Sequence, residues 1–137
     1  MNINAYINFD GRCAAAIQFY EQAIGAKVLF KQTWGESPMA KDTPPAMHGN
    51  IMHASLAIGS GTLMCADTPP EHYQKPAGIA LSLHSKDKAE GERLFNALSK
   101  GGAVTMPFAS TFWSPGFGMC TDPFGIPWMV NCEGQPA

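Results

Sequence analysis

Short runs of alternating hydrophobic and polar residues recur along the chain, set apart by turn signals. "AYINFDG" (Ala5 to Gly11) alternates and closes in a turn, which predicts a strand. "CAAAIQFYEQAIGA" follows, with Ala16, Phe19, Tyr20 and Ala23 at helical spacing and Ile17 and Ile24 beside them. Gly25 stands where a helix stops. Lys27 to Trp34 reads as a second strand, and Gly35 to Asn50, polar and holding Pro38, Pro44 and Pro45, reads as a long loop. Met52 to Asp67 predicts two strands around the Gly59-Ser60-Gly61 turn. The order then recurs. "GIALSLHS" is a strand, and "DKAEGERLFNALSKGG" is a helix capped by Asp87 and stopped by Gly101-Gly102. "AVTMPF" is a strand, and "GFGMCTDPFGIPWMVNC" is a hairpin around Asp122-Pro123-Phe124-Gly125.

Each half therefore reads strand, helix, strand, hairpin. This predicts an α+β fold of two βαβββ modules, with helices packed outside curved antiparallel sheets. Module one spans about 1–70 and module two about 77–133, within a single domain covering 1–137. Both hairpins close on a Gly (Gly61, Gly125), and four residues later come Cys65 and Met129.

Composition narrows the function classes. A length of 137 residues suits one ordinary domain with a real core. Charged residues make up only 15%, below the usual quarter, so much of the surface is uncharged and open to a partner subunit. The net charge of −2, without a basic patch, argues against nucleic acid. Apolar runs break well before the roughly 18 residues of a membrane span. Met1-Asn2-Ile3-Asn4 has neither the charged head nor the apolar core of a signal segment, so a cytoplasmic location is expected. Cys13, Cys65, Cys120 and Cys132 form no C-x-x-C pair and read as small apolar residues.

Four stretches, "YINFDGRCAAAIQFYEQAIGA", "IMHASLAIG", "RLFNALSKGG" and "TFWSPGFGMCTDPFGIPWMVN", resemble the vicinal oxygen chelate (glyoxalase/bleomycin resistance/dioxygenase) superfamily. More narrowly they resemble its PhnB-like (3-demethylubiquinone methyltransferase-like) branch. The resemblance implies two βαβββ modules, each bending its sheet into a cup, and a homodimer. No glycine loop for a methyl donor is present, because Gly59-x-Gly61 is a hairpin turn.

Metal-dependent members use four His, Gln or Glu ligands on the first and last strands of each module. Carried onto this chain, those positions are Ala5, Cys65, Gly78 and Met129. A one-residue slip offers Tyr6, Met64 or Ala66, Ile79, and Trp128 or Val130. Neither set resembles a nitrogen-and-oxygen site, so no family-type metal and no other cofactor is expected.

Strand parity proposes what lines the cups. With the first hairpin centred on Ser60, His53, Ser55, Ala57, Leu63, Cys65 and Asp67 share the cup face. His53 then stands opposite Asp67 as a candidate acid–base pair, with Cys65 a candidate nucleophile. A pair of half-buried polar groups satisfying each other fits the same residues. In the second half, Cys120, Pro127, Met129 and Asn131 point into the cup, and Met119, Trp128 and Val130 go under the helix. Trp113 and Phe117 flank Ser114-Pro115-Gly116 and stand at a rim, where they stack on a flat ligand or seal a dimer interface. His48, His72 and His84 read as surface residues.

Three functions compete. The first is a metal-independent protein binding a small organic ligand through Trp113, Phe117, Met129, His53, Ser55, Cys65 and Asn131. The second is an enzyme using His53 with Asp67. The third is a dimeric interaction module whose cups are already filled.

Overall fold

The computed structural model describes residues 1–136. The chain forms two compact units, the first Met1–Gln74 and the second from Lys75 onward. Each unit has the strand–helix–strand–hairpin order, so the α+β arrangement of two βαβββ modules is the observed one.

Unit 1 holds β1 (Ala5–Phe9), α1 (Cys13–Ile24), β2 (Lys27–Thr33), β3 (Ile51–Ile58) and β4 (Gly61–Asp67). Its sheet has the order β1-β4-β3-β2. The β1–β4 pair is parallel and the other two pairs are antiparallel, so the sheet is mixed and not the antiparallel one that the sequence predicted. The first strand is separated from its neighbour by the whole module, and such a long connection permits a parallel pair. Helix α1 ends on Gly25 at φ 70°, with its N–H bonded to the Tyr20 carbonyl. That left-handed stop costs a glycine little. The helix buries Cys13, Ala16, Ile17, Tyr20 and Ala23.

The loop after β2 is internally bonded. It contains short 3-10 turns at Ala40–Asp42 and Pro45–Met47. Trp34 N–H donates to Asn50 O at 2.9 Å and Gly35 N–H to His48 O at 3.0 Å, which joins the loop's two ends. His48 is half-buried here, and its Nε2 donates toward Thr43 O (2.9 Å) and Ala40 O (3.1 Å).

Unit 2 holds β5 (Leu81–Ser85), α2 (Lys88–Ser99), β6 (Ala103–Ala109), β7 (Phe117–Thr121) and β8 (Pro127–Cys132). Its sheet has the matching order β5-β8-β7-β6, again with one parallel pair, β5–β8. Asp87 caps α2 by accepting Glu90 N–H at 2.8 Å, the interaction its sequence position predicts. Leu94, Phe95 and Leu98 of α2 are buried with Trp128 and Val130 of β8. Each such side chain contributes about 1.5–3 kcal/mol of burial energy. No helix is long and apolar enough to cross a membrane among the described residues.

Candidate functional site

In unit 1, Ile58 pairs with Gly61, Ala57 with Thr62 and Ala54 with Cys65. The turn is therefore the two residues Gly59-Ser60, and its centre falls between them, not on Ser60. This half-step corrects the sequence reading, because a one-residue change of register turns every side chain of a strand to the other face. Cys65 and Asp67 share a face with Ala54 and Leu56, beneath α1, and all four are fully buried. His53 and Ser55 lie on the face away from α1, the open face, with Met64 and Ala66. The expected His53/Asp67 pair is not formed.

Asp67 has a different task. One carboxylate oxygen accepts the N–H groups of Gly11 (2.9 Å) and Cys13 (3.0 Å), and the other accepts that of Ile51 (2.8 Å). The charge of a buried carboxylate is thereby matched by backbone donors at the start of α1 and of β3. Cys65 is packed against Cys13. A hydrogen bond to Cys65, then burial, pushes the Cys13 thiol far above its ordinary range. A protonated, enclosed thiol is a poor nucleophile.

His53 takes Tyr6 as its partner. The Tyr6 hydroxyl is 2.9 Å from His53 Nδ1, and the two rings stack with centroids 5.6 Å apart and planes 25° apart. Phe30 stands on the other side, its centroid 5.9 Å from the imidazole. Tyr6, Met64, Ser55 and Phe30 form one row across the four strands, and His53 and Gln32 belong to the next. Sequence reasoning missed Tyr6 and Phe30 as members of this face. The alternation of β1, with Ile7 and Phe9 buried, is the signal that would have placed Tyr6 outside.

In unit 2, Phe117 pairs with Asn131, Met119 with Met129 and Cys120 with Trp128. Met129 and Asn131 face away from α2, together with Phe117 and Met119. Cys120 does not: it is 1% exposed on the α2 side beside Trp128. Burial, then the nearby Asp122, pushes its thiol up to about 11. The sequence parity is correct for β8 and one residue out for β7, because the turn Asp122 to Ile126 is odd in length, with Thr121 opposite Pro127. Asp122 organises that turn by accepting the N–H groups of Phe124 (2.8 Å) and Ile126 (3.1 Å), and Trp128 Nε1–H donates to its second oxygen at 2.9 Å.

Trp113 stands over the open face of unit 2. Its Nε1–H donates to Asn131 Oδ1 at 3.1 Å. Its ring meets Phe117 edge-on at 5.2 Å and Phe112 at 4.7 Å. Phe117 is buried, while Trp113 remains 47% exposed. The loop that carries Trp113 is built by Thr111 and Ser114. Thr111 Oγ1 accepts Ser114 N–H at 3.1 Å, and the buried Ser114 hydroxyl lies 2.8 Å from Cys132 O. His84, read from the sequence as a surface residue, is exposed and pairs in register with Asn131. His72 is exposed at the end of a short turn.

The sequence profile of the Glyoxalase/Bleomycin resistance protein/Dioxygenase superfamily matches residues 2–130. The chain belongs to that superfamily. It is 36% identical to Protein YjdN of Escherichia coli K12 over 143 aligned residues, covering 98% of this chain and 97% of YjdN. The crystal structure of protein PA1353 from Pseudomonas aeruginosa is 44% identical, covers 97% of this chain and 98% of its own, and has a TM-score of 0.88. A PhnB protein from Bacillus cereus, described as a putative 3-demethylubiquinone-9 3-methyltransferase, shares the fold at a TM-score of 0.81 and 21% identity. That match covers 97% of this chain and all (100%) of the other.

Metal-dependent members of this superfamily would need nitrogen and oxygen donors on the first and last strands of each module. Of the positions carried over from them, Ala5 and Cys65 lie on the α1 side of unit 1, and Gly78 precedes β5. The open face of the β1–β4 pair instead presents Tyr6, Asn8, Met64 and Ala66. That of the β5–β8 pair presents Ser82, His84, Met129 and Asn131. These are thioethers, hydroxyls and amides with one imidazole and no carboxylate, and they do not fit such a site. Among the described residues, no group of three or more His, Cys, Asp or Glu is placed to hold a metal.

Proposed function

We propose that this superfamily member binds a small organic ligand through the open faces of its sheets, without a metal. Trp113, Phe117, Met129 and Asn131 supply the contacts in unit 2, and His53 and Ser55 supply them in unit 1. Cys65 and Asp67 are not part of the binding surface. The observation that carries this reading is Trp113: an indole fixed by Asn131, resting on Phe117, with nearly half its surface exposed. An oriented aromatic ring loses little entropy when a flat ligand stacks on it.

A thermal-shift screen with aromatic and lipophilic compounds tests this. A ligand of the folded state at 100 times its Kd adds about 2.7 kcal/mol of stability. At least one chemical class should raise the melting temperature, and Trp113→Ala should abolish most of that rise. A panel without effect, or a rise unchanged in Trp113→Ala, overturns the proposal.

The homodimer reading has its own support. The outer strands β2 and β6 each end their sheet, and they expose Leu29 (63%), Val104 (50%) and Phe30 (47%). Unpaired strand edges with apolar side chains are ready to pair or pack with a second copy. Light scattering should give the mass of two chains, and Leu29→Lys should shift it toward one. A single-chain mass for the unaltered protein overturns this.

A further inference from the structure

The open face of unit 1 holds three rings in contact, with His53 between Tyr6 and Phe30. The Tyr6 hydroxyl and His53 Nδ1 share one proton-bearing contact of 2.9 Å. A phenol, with an ordinary pKa near 10, is a strong donor, and an unprotonated imidazole nitrogen is a strong acceptor. The favoured arrangement is therefore O–H to Nδ1. Burial, then the neighbouring Cys65 and Cys13, raises the Tyr6 pKa further, which keeps the phenol protonated and donating.

This arrangement sets the other end of the imidazole. With Nδ1 accepting, the ring proton resides on Nε2, and Nε2 has no hydrogen-bond partner among the described residues. Two carboxylates beyond the strand ends are engaged elsewhere. The Glu36 carboxylate, beyond the end of β2, is engaged by the N–H (3.0 Å) and hydroxyl (2.8 Å) of Thr33. Asp10, beyond β1, is bonded to Arg12 at 3.0 Å. Across the strands of this face the titratable groups are Tyr6, His53 and Lys27, the last paired in register with Ala57 near the hairpin end. Tyr6 and Phe30 are 46% and 47% exposed, so aromatic surface flanks the imidazole on both sides.

We propose that Tyr6 is a positioning residue that holds His53 as the Nε2–H tautomer, and that this N–H recognises a flat, uncharged aromatic ligand carrying an oxygen acceptor. The inference rests on the reading that the open faces bind an organic ligand, and it names the chemistry for unit 1. The rings of Tyr6 and Phe30 supply stacking, and His53 Nε2–H supplies a directional contact.

Coumarin, flat and neutral with a carbonyl acceptor, is the probe, and naphthalene is the control without oxygen. Nitrogen-15 spectra of the imidazoles at pH 8 should show His53 protonated at Nε2, and Tyr6→Phe should remove that preference. Coumarin should move the His53 and Ser55 signals. His53→Phe, which keeps a flat ring, should weaken coumarin about tenfold and leave naphthalene unchanged, as loss of a single hydrogen bond requires. Amide spectra of both variants check that the fold is kept, which is expected because neither side chain is in the core. An Nδ1–H tautomer, or equal losses for the two probes, overturns the proposal. If coumarin moves only Phe117 and Asn131, this inference falls and the general binding reading stands. If neither probe moves either face, both fall.

Discussion

Asp67 accepts the backbone N–H of Ile51 at 2.8 Å through one carboxylate oxygen, and with the other it holds the start of α1. One side chain at the end of β4 thus ties together the first residue of β3 and the helix N-terminus. Asp67→Asn leaves a single acceptor oxygen and aims an NH2 group at a backbone donor. It should lower unfolding free energy by about 3 kcal/mol in a urea titration, the scale of a buried charged group losing its partners. A loss below about 1 kcal/mol would mean that the carboxylate is not the tie described.

Gly91 of α2 lies against Cys132 of β8. A Cβ added at Gly91 would overlap the Cys132 sulfur, with Ser85 Cβ at 3.4 Å and a Phe108 ring carbon at 3.5 Å as its next neighbours. Gly91→Ala should therefore cost about 2 kcal/mol despite its better helix propensity. Removing the obstruction should relieve it. In the Gly91→Ala/Cys132→Ala double variant the combined loss should fall short of the sum by about 1 kcal/mol or more. Additive losses would show that the helix sits farther from the sheet than this.

All four cysteines are free and buried. The Cys120 thiol is pushed up to about 11 by burial and then by Asp122, and burial also raises Cys132. The Cys13 thiol is raised by its Cys65 hydrogen bond and by burial. In the unfolded chain these thiols titrate near their ordinary value of about 8.5. Between that value and the higher folded one, the folded state holds more protons than the unfolded state, so stability falls as pH rises. Urea midpoints should be level from about pH 7 to 8 and decline between about pH 9 and 11. A thiol reagent at pH 7.5 should react slowly with native protein and with all four thiols in denaturant. Rapid reaction of a native thiol would contradict the burial of these side chains.

The elements themselves were legible in the residues. Gly25, Asp87 and the Gly59-Ser60 turn mark boundaries through local backbone chemistry, which needs no distant partner. Trp128 and Val130 were also placed correctly as core, and β8 alternates half-buried and buried positions along its length. The faces of β4 and β7 were not. Their placement depends on where a hairpin's centre falls, and half a residue there moved Cys65, Asp67 and Cys120 beneath the helices and Met119 to the open face. The sequence placed only Asp67 at His53's side, and the structure puts Tyr6 there instead.

By itself the sequence determined the order of elements, their repetition and the weak charge of the surface, since these follow from periodicity, turn chemistry and composition, and four of its stretches carried the resemblance to the superfamily. Only the tertiary structure decided which side chains meet. The parallel pairing of β1 with β4 brings Tyr6 to His53, and the loop through Ser114 sets Trp113 over Phe117. Contacts of that kind depend on strand register and loop path, which local sequence signals do not encode.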